Sequence, residues 1–497
     1  MVVGIDVGGT NTDAAIVKDD ITTIKLPNEQ GIEGVLAVIS KKVNLKDEKV
    51  IVSTSLPLNL VLSKFDEIST LTLLVPGPGL DYSSYGVILR GAVNHRGDVV
   101  EDVDVAEIQK ILSGLQAENV AIAVKFSVRN PKLEHDIFRL AESYYGETRI
   151  ALSHHVGGMN YPLRINTTVL NAKIMETVHN LTSNIRAMAG DFFYYKGDGG
   201  IIPFSIALRN PSELYNSSSA AVAIGAHYLS RKKDALVVDF GGTTTDFVML
   251  KDGKPEIDES AIIVGKKTLV RCVKSANIPY GGDSPIVDGG LIKGRKDNSL
   301  AFGGRYFTIT DALNCMGCEI GDYRASRNYP EEFELPLQTY LEMVAEIIKN
   351  SRAERVIGTG YLARYMADVL HDTFGIRMEV PLYAESANAI GVAVSRISLT
   401  LYARYDFENR KVVYNGEIEG VETLSRNADD EEIIAMAEEK LRTMAMQYGA
   451  DEEDVKDVRI LYFNSFDVVR GGIMRGRIAD VVIQIEPGIR SDIEVVV

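Results

Sequence analysis

A chain of 497 residues with a formal net charge of −16 and 45% apolar residues is too long for one hydrophobic core and is expected to fold as two or three units. That acidity, with no basic stripe, argues against nucleic-acid binding; no apolar run is long enough to cross a bilayer, so no membrane attachment is expected. The three cysteines, Cys272, Cys315 and Cys318, are too few for a disulfide framework, which suits a cytoplasmic protein.

In chain order, the apolar run Met1–Val7 meets Asp6 and a glycine loop at once, so it reads as a strand and not as a signal peptide. Strands are predicted at Val50–Ser53, Leu71–Val75 and Val120–Phe126, alternating with helices over Val105–Leu115 and Pro131–Tyr145, the latter capped by Asn130. Such alternation points to a largely parallel, covered sheet. A long helix is predicted from about Thr168 to Met188, and Ser217–Leu229 reads as a helix of small residues close-packed against another element. Gly281–Gly304 reads as a loop, Leu337–Lys349 as an amphipathic helix, Arg355–Gly360 as a strand ending in a glycine turn, and Tyr361–Phe374 as the helix it feeds. A strand at Met378–Val380 and a helix at Ser386–Ser398 follow. From Leu399 the pattern changes to a hairpin (Leu399–Tyr405, Lys411–Asn415), an amphipathic helix at Asp429–Tyr448, and strands at Leu461–Phe463 and Val481–Ile485. Gly471–Arg477 is basic and glycine-rich, either a solvated loop or an anion or subunit contact. The expected units are 1–170, 171–398 and 399–497.

The most informative feature is an internal repeat. Asp6-Val7-Gly8-Gly9-Thr10-Asn11-Thr12-Asp13 and Asp239-Phe240-Gly241-Gly242-Thr243-Thr244-Thr245-Asp246 agree at six of eight positions, and each lies between two short apolar runs. The pattern reads as a hairpin heading each half of a duplicated α/β core. Glycines let backbone N–H groups approach phosphate oxygens without a Cβ clash. Gly8, Gly9, Thr10 and Asn11, with Gly241, Gly242, Thr243 and Thr244, are therefore candidate polyphosphate ligands. Asp6 and Asp239, at strand ends, are placed to hold a hydrated Mg²⁺ or another divalent cation. Asp13 and Asp246 position water or metal, or brace the loop; with Asp6 and Asp239 they are the candidate catalytic carboxylates. Gly358-Thr359-Gly360 adds a strand-to-helix glycine turn suited to the nucleotide's adenosine end, with Gly358 and Gly360 as its ligands.

This order of loops resembles that of the actin, sugar-kinase and heat-shock-chaperone superfamily, whose duplicated domains are ribonuclease H-like. Within it, the two D-x-G-G-T-x-T-D loops and the run Thr167-Thr168-Val169-Leu170-Asn171-Ala172 resemble hydantoinase A of the hydantoinase/oxoprolinase family. Weaker matches are Gly91–Gly97, Asn130-Pro131, Ser153-His154, Gly199-Gly200, Gly281–Ser284 and Thr308–Ala312. The resemblance implies ATP-dependent opening of a cyclic amide such as a hydantoin or 5-oxoproline, by phosphorylation of the carbonyl oxygen. Phosphoryl transfer of this kind rests on positioning and charge neutralisation. It also implies a small-molecule substrate and a hydantoinase B-type partner chain, with homo-oligomerisation left open. His154 matches the family pattern as a metal or substrate ligand; a plain hydrogen-bonded histidine is the other reading. If His154 and His155 continue a strand they face opposite ways, so at most one reaches a common site.

Departures from the family pattern fall at Val52-Ser53-Thr54-Ser55, where a histidine is missing, at Leu133-Glu134, at His155, and at Tyr215-Asn216-Ser217-Ser218-Ser219. They leave two other readings, a small-molecule kinase and a nucleotide-gated activator subunit. Asp283 either reaches the cleft or stabilises its turn, Lys173 either neutralises phosphate charge or is solvated, and Cys315-Met316-Gly317-Cys318 is either a lone CxxC near a helix end or part of a zinc site.

Overall fold

The computed structural model describes residues 1–8, 11–18, 20–27, 31–54, 56–328, 332–420 and 428–493. Gly9 and Thr10 lie outside the described residues. Two sheets repeat one plan. In the first, Val2–Val7 pairs antiparallel with Asn11–Val17 on one side and parallel with Lys49–Thr54 on the other. Ile21–Pro27 extends one edge, Phe193–Tyr195 and Ile201–Pro203 the other. In the second, Ala235–Phe240 pairs antiparallel with Thr245–Lys251 and parallel with Val356–Thr359. Strands buried on both faces explain why Val2–Val7 and Ala235–Phe240 read as continuous apolar runs and not as alternating ones.

A third sheet is wholly parallel, in the order Ile150–Leu152, Asn119–Val124, Thr70–Val75, Val87–Ile88. The helix Tyr161–Ala189 packs against it. That helix starts earlier than the sequence pattern suggests, because Asn160 caps it through the Leu163 N–H and Pro162 fits its first turn. It runs unbroken through residues 170 and 171.

The small-residue helix Ser217–Ser230 meets Ala387–Val394 backbone to backbone. A Cβ on Gly225 would stand 1.9 Å from the Ala387 carbonyl oxygen, and one on Gly391 1.9 Å from that of Ala221. This contact is the close packing that the run of small residues anticipates. Gly4 seats the second of these helices on the first sheet, since a Cβ there would meet Ala389 and Ala393.

The C-terminal residues form an antiparallel five-stranded sheet backed by the helix Asp430–Gln447. Here the structure corrects the sequence reading. Gly471-Gly472 is a two-residue turn, both residues at positive φ, joining strands Val458–Arg470 and Ile473–Ile485. Most of the stretch read as a loop is therefore strand. Met378–Val380 contributes only a single bridge, Glu379 to Ile357.

Candidate functional site

Register brings the repeat into focus. Asp6 stands directly opposite Asp13 and Val7 opposite Thr12; Asp239 stands opposite Asp246 and Phe240 opposite Thr245. Each turn closes with the same bond, Gly8 N–H to the Asn11 carbonyl and Gly241 N–H to the Thr244 carbonyl, both 3.1 Å. The two hairpins thus share one strand register and one closing bond. They line one cavity of about 350 Å³, whose walls include Asp6, Gly8, Asn11, Asp13, Asp239, Gly241, Gly242, Thr243, Thr244, Asp246 and Gly360.

Like charges directly opposite each other in a sheet repel, so each carboxylate needs support. Ser218 Oγ donates to Asp6 Oδ1 at 3.0 Å and Asn388 Nδ2 to Oδ2 at 3.2 Å. Thr359 Oγ1 donates to Asp239 at 2.8 Å, and Thr244 Oγ1 to Asp246 at 2.8 Å. Asp13 faces the Lys25 ammonium at 3.2 Å. The support is incomplete. Burial raises the Asp6 carboxyl despite donors from Ser53, Asn388 and Ser218. Burial likewise pushes Asp13, Asp239 and Asp246 up to about 6. The charge of Asp6 adds to the rise at Asp239, and that of Asp239 to the rise at Asp13, so the pairs feel each other across the cavity.

The backbone of the second loop is tightly held. Gly282 N–H donates to the Gly241 carbonyl at 2.9 Å and Asp283 N–H to that of Gly242 at 2.8 Å. The Gly281–Ser284 turn thus braces the second loop, and Asp283 is buried with its carboxylate 3.6 Å from Arg295. Gly360 has φ +86°, and a Cβ there would sit 2.4 Å from the Phe240 carbonyl oxygen. Gly358 lies two residues earlier, within the strand Val356–Thr359 and against Met378, and does not line the cavity.

Do these residues fit a cation-bridged polyphosphate? Five carboxylates line the cavity, the four above and Glu385, against one cationic side chain among the described residues, Lys25. A bare polyphosphate is repelled by such a wall, whereas a divalent cation between them is attracted to both. Among the described residues no group of three His, Cys, Asp or Glu is placed to hold a metal ion directly. The donor set therefore fits a cation that keeps water and phosphate oxygens in its shell.

Residues 164–322, which include the second hairpin, match the family model described as hydantoinase/oxoprolinase. This segment belongs to the hydantoinase/oxoprolinase family. An uncharacterized protein of Methanocaldococcus jannaschii is 24% identical over 201 residues, a match that covers 38% of this chain and only 29% of that protein. Two solved structures are similar over nearly the whole chain. The nucleotide-free structure of acetone carboxylase, from a study of ATP-dependent acetone carboxylation, aligns with a TM-score of 0.66 at 15% identity, covering 97% of this chain and 87% of that one. The ATP-dependent caprolactamase from Pseudomonas jessenii aligns with a TM-score of 0.62 at 16% identity, covering 98% and 88%. These likenesses establish an actin-like α/β fold with several sheets.

The residues at which the chain matches or departs from the hydantoinase/oxoprolinase pattern divide in space. Tyr215, Asn216, Ser218 and Ser219 line the cavity beside Asp6. His154 does not line it. It lies in a short helical turn, Ser153–His155, so strand alternation does not apply and its ring sits 4.3 Å from that of His155. Its Nδ1 lies 2.6 Å from Glu134, whose carboxylate also accepts from Ser153 Oγ at 2.5 Å and from the Val124 and His154 N–H groups. Arg164 ties this knot to the Val124 carbonyl at 2.7 Å. Asn171 and Lys173 serve packing: Asn171 bonds Asn210 and the Ser212 N–H, and Lys173 donates to the Phe65 carbonyl at 2.7 Å. Cys315 and Cys318 carry free thiols, raised by burial. Sequence reasoning missed Lys25, Ser218, Asn388 and Thr359 as site residues. Thr359 sat inside a quoted glycine turn, and Ser218 in a noted departure; nothing in the pattern singled out Asn388 or Lys25. No described helix is long and apolar enough to cross a membrane.

Proposed function

We propose that the protein is an ATP-dependent hydrolase that opens a cyclic amide, hydantoin- or 5-oxoproline-like, after phosphoryl activation of its carbonyl oxygen, and that it works as the A-type chain beside a B-type partner. The observation that carries this reading is the pair of hairpins in identical register, with Asp6 and Asp13 facing Asp239 and Asp246 over one cavity. Further support comes from the family segment and from two proteins of the same fold, both named for ATP-dependent reactions and one of them a caprolactamase. ATP would supply the phosphoryl group and Mg²⁺ the neutralisation of its charge.

This chain's residues do the rest. The backbone N–H groups of the two loops, with Asn11 and Thr244, hold the polyphosphate chain. Asp6 and Asp239 hold the hydrated cation, with Asp13 and Asp246 as its outer support. Lys25 offsets charge that develops on the transferred group. The acceptor lies on the Asp6 side, against Asn216, Ser218, Ser219 and Asn388. The working units in this proposal are 1–170, 171–398 and 399–497, each duplicated lobe being ribonuclease H-like.

The test is ADP formation by the purified chain with Mg·ATP and hydantoin, 5-oxoproline or a lactam, alone and with a B-type chain. Ring-opened acid and ADP formed in equal amounts are expected. ADP release unmoved by any cyclic amide refutes the reading. A phosphorylated polyol among the products would replace it with the kinase reading, and ATP-dependent activation of a partner without ring opening would replace it with the activator reading.

A further inference from the structure

A second cavity, of about 300 Å³, lies between residues 128–159 and one face of the C-terminal sheet, and it shares no lining residue with the first. Cross-strand register builds its floor. Tyr402 pairs with Val482, which pairs on its other side with Tyr462; Arg404 pairs with Asp480. Residues two apart on a strand share a face, so an aromatic and aliphatic row lies next to a charged one. Arg129 and Met159 complete the wall, and Met159 and Tyr462, at 41% and 48% exposure, are its solvent-facing residues.

The charged row does not balance. Asp480 accepts from Arg129 Nη2 at 2.8 Å and from Arg404 Nη1 at 2.7 and 2.8 Å. The His95 carbonyl, within the Gly91–Gly97 stretch, accepts from both guanidiniums. Two guanidiniums thus share one carboxylate, and Arg404 is only 5% exposed. Neither Nε–H has a hydrogen-bond partner among the described residues. Burial, together with the charge of Arg404, pulls Arg129 below its ordinary range even with Asp480 beside it. A seam between two units needs neither a surplus buried cation nor a void, and both are costly without an occupant.

We propose that this cavity binds a small monocarboxylate with an apolar body, its carboxylate answering the surplus charge of the Arg129–Arg404 pair and its hydrocarbon or aryl part lying on Tyr402, Val482 and Tyr462. One uncompensated charge suits a single carboxylate, whereas a polyphosphate brings more negative charge than the pair can answer. The apolar row selects against small polar acids such as acetate. The site stands apart from the nucleotide cavity, so its failure leaves the proposed activity untouched, and the reverse also holds.

The experiment is calorimetric titration of the full chain with 3-phenylpropionate and hexanoate, against 3-phenylpropan-1-ol and hexanamide as uncharged comparators. Saturable binding of the acids at one site is expected, at least about tenfold tighter than the comparators, a preference of the size a single charge-assisted contact gives. Tyr462→Ala, at an exposed position, is expected to weaken binding several-fold. Met159→Asp, which sets a like charge at the mouth, is expected to abolish it, and Arg404→Met to erase the preference for the acid. Should Arg404→Met fail to fold, the first two variants decide. Equal affinity for acids and comparators, no saturable heat with either acid, or acid binding unchanged in both rim variants overturns the proposal.

Discussion

Asp246 is a sharp place to test the electrostatics of the proposed nucleotide cavity. Burial pushes its carboxyl from an ordinary 3.8 to about 6, and the Thr244 hydroxyl only partly offsets this. A raised carboxyl pKa means that the folded chain holds a proton the unfolded chain has already released. The associated stability is fully present below about 4 and is lost as pH rises through about 6. A difference of about two units corresponds to ~3 kcal/mol at pH 8, falling to roughly half of that at pH 5. The charge of Asp246 also raises Asp239, so its removal relieves that carboxyl too and makes this a lower figure. Asp246→Asn keeps the shape, lets the amide oxygen accept from Thr244, and removes the charge. In EDTA at pH 8 the variant is therefore expected to melt several degrees above the parent, at about 2–4 °C per kcal/mol for a domain of ordinary size. The gap should shrink towards pH 5. Added Mg·ATP should raise the melting point of the parent far more than that of the variant, and ADP formation should fall about a hundredfold in Asp246→Asn, the usual scale for loss of a preorganised charge contact. A variant that melts lower than the parent in EDTA at pH 8, by a margin that does not change with pH, would refute the reasoning, because the carboxylate would then be stabilising the fold.

Gly360→Ala forces a Cβ into the left-handed region and within 2.4 Å of the Phe240 carbonyl, so a loss of about 1–3 kcal/mol in urea unfolding is expected, with weakened nucleotide binding by calorimetry. Lys25→Met removes the cation that lowers Asp13. The acid limb of the ADP-formation profile should move to higher pH and the turnover number should fall more than KM changes. Glu134→Gln tests the buried knot outside the cavity. Burial raises this carboxyl, yet His154, Ser153 and the Val124 N–H outweigh burial and hold it at about 2. Its contribution is present above about 4.5 and is lost as pH falls towards 2, so the variant should lose about 3–5 kcal/mol at pH 7, as expected when one partner of a buried pair is removed, with Mg·ATP affinity intact in the fraction that stays folded.

How far the sequence could be read depended on whether a residue's role is local. Asp6 and Asp239 announce themselves because the turn after them must be glycine and the same turn recurs. Ser217–Ser230 announces close packing because its small residues only make sense against another backbone. Lys25 stays hidden: it sits on a half-buried edge strand, Ile21–Pro27, where an alternating lysine looks like any solvated one, and only the register opposite Asp13 gives it a role. His154 was misleading for the opposite reason. Its neighbours match a family pattern, but no pattern states which way a side chain turns, and a three-residue helical turn takes this one into the Glu134 knot. The strand Ile473–Ile485 reads short in the sequence because its first three residues are exposed and Gly476 interrupts the apolar pattern, although Gly471-Gly472 between two apolar runs is a hairpin signal.

The two hairpins, equal in register, are unequal in what holds them. At the second, the donors to its carboxylates and carbonyls come from its own turn, from Thr359 on the neighbouring strand and from Gly282 and Asp283 wrapped against the loop. At the first, Asp6 takes its donors from Ser218 and Asn388, on two helices that touch through Gly225 and Gly391 with no room for a Cβ on either side. Such a contact moves as a unit or not at all. The helix Ser217–Ser230 also packs on Thr245–Lys251 of the second hairpin, so a molecule resting on Asn216 and Ser219 presses on the helix that positions Asp6 and reaches both hairpins. The cavity-lining departures from the family pattern fall on this side, at Tyr215, Asn216, Ser218 and Ser219, with Ser53 beside Asp6 on the neighbouring strand. Under the proposed function, a change of substrate would be met by new side chains at the start of this helix, with the two hairpin sequences kept.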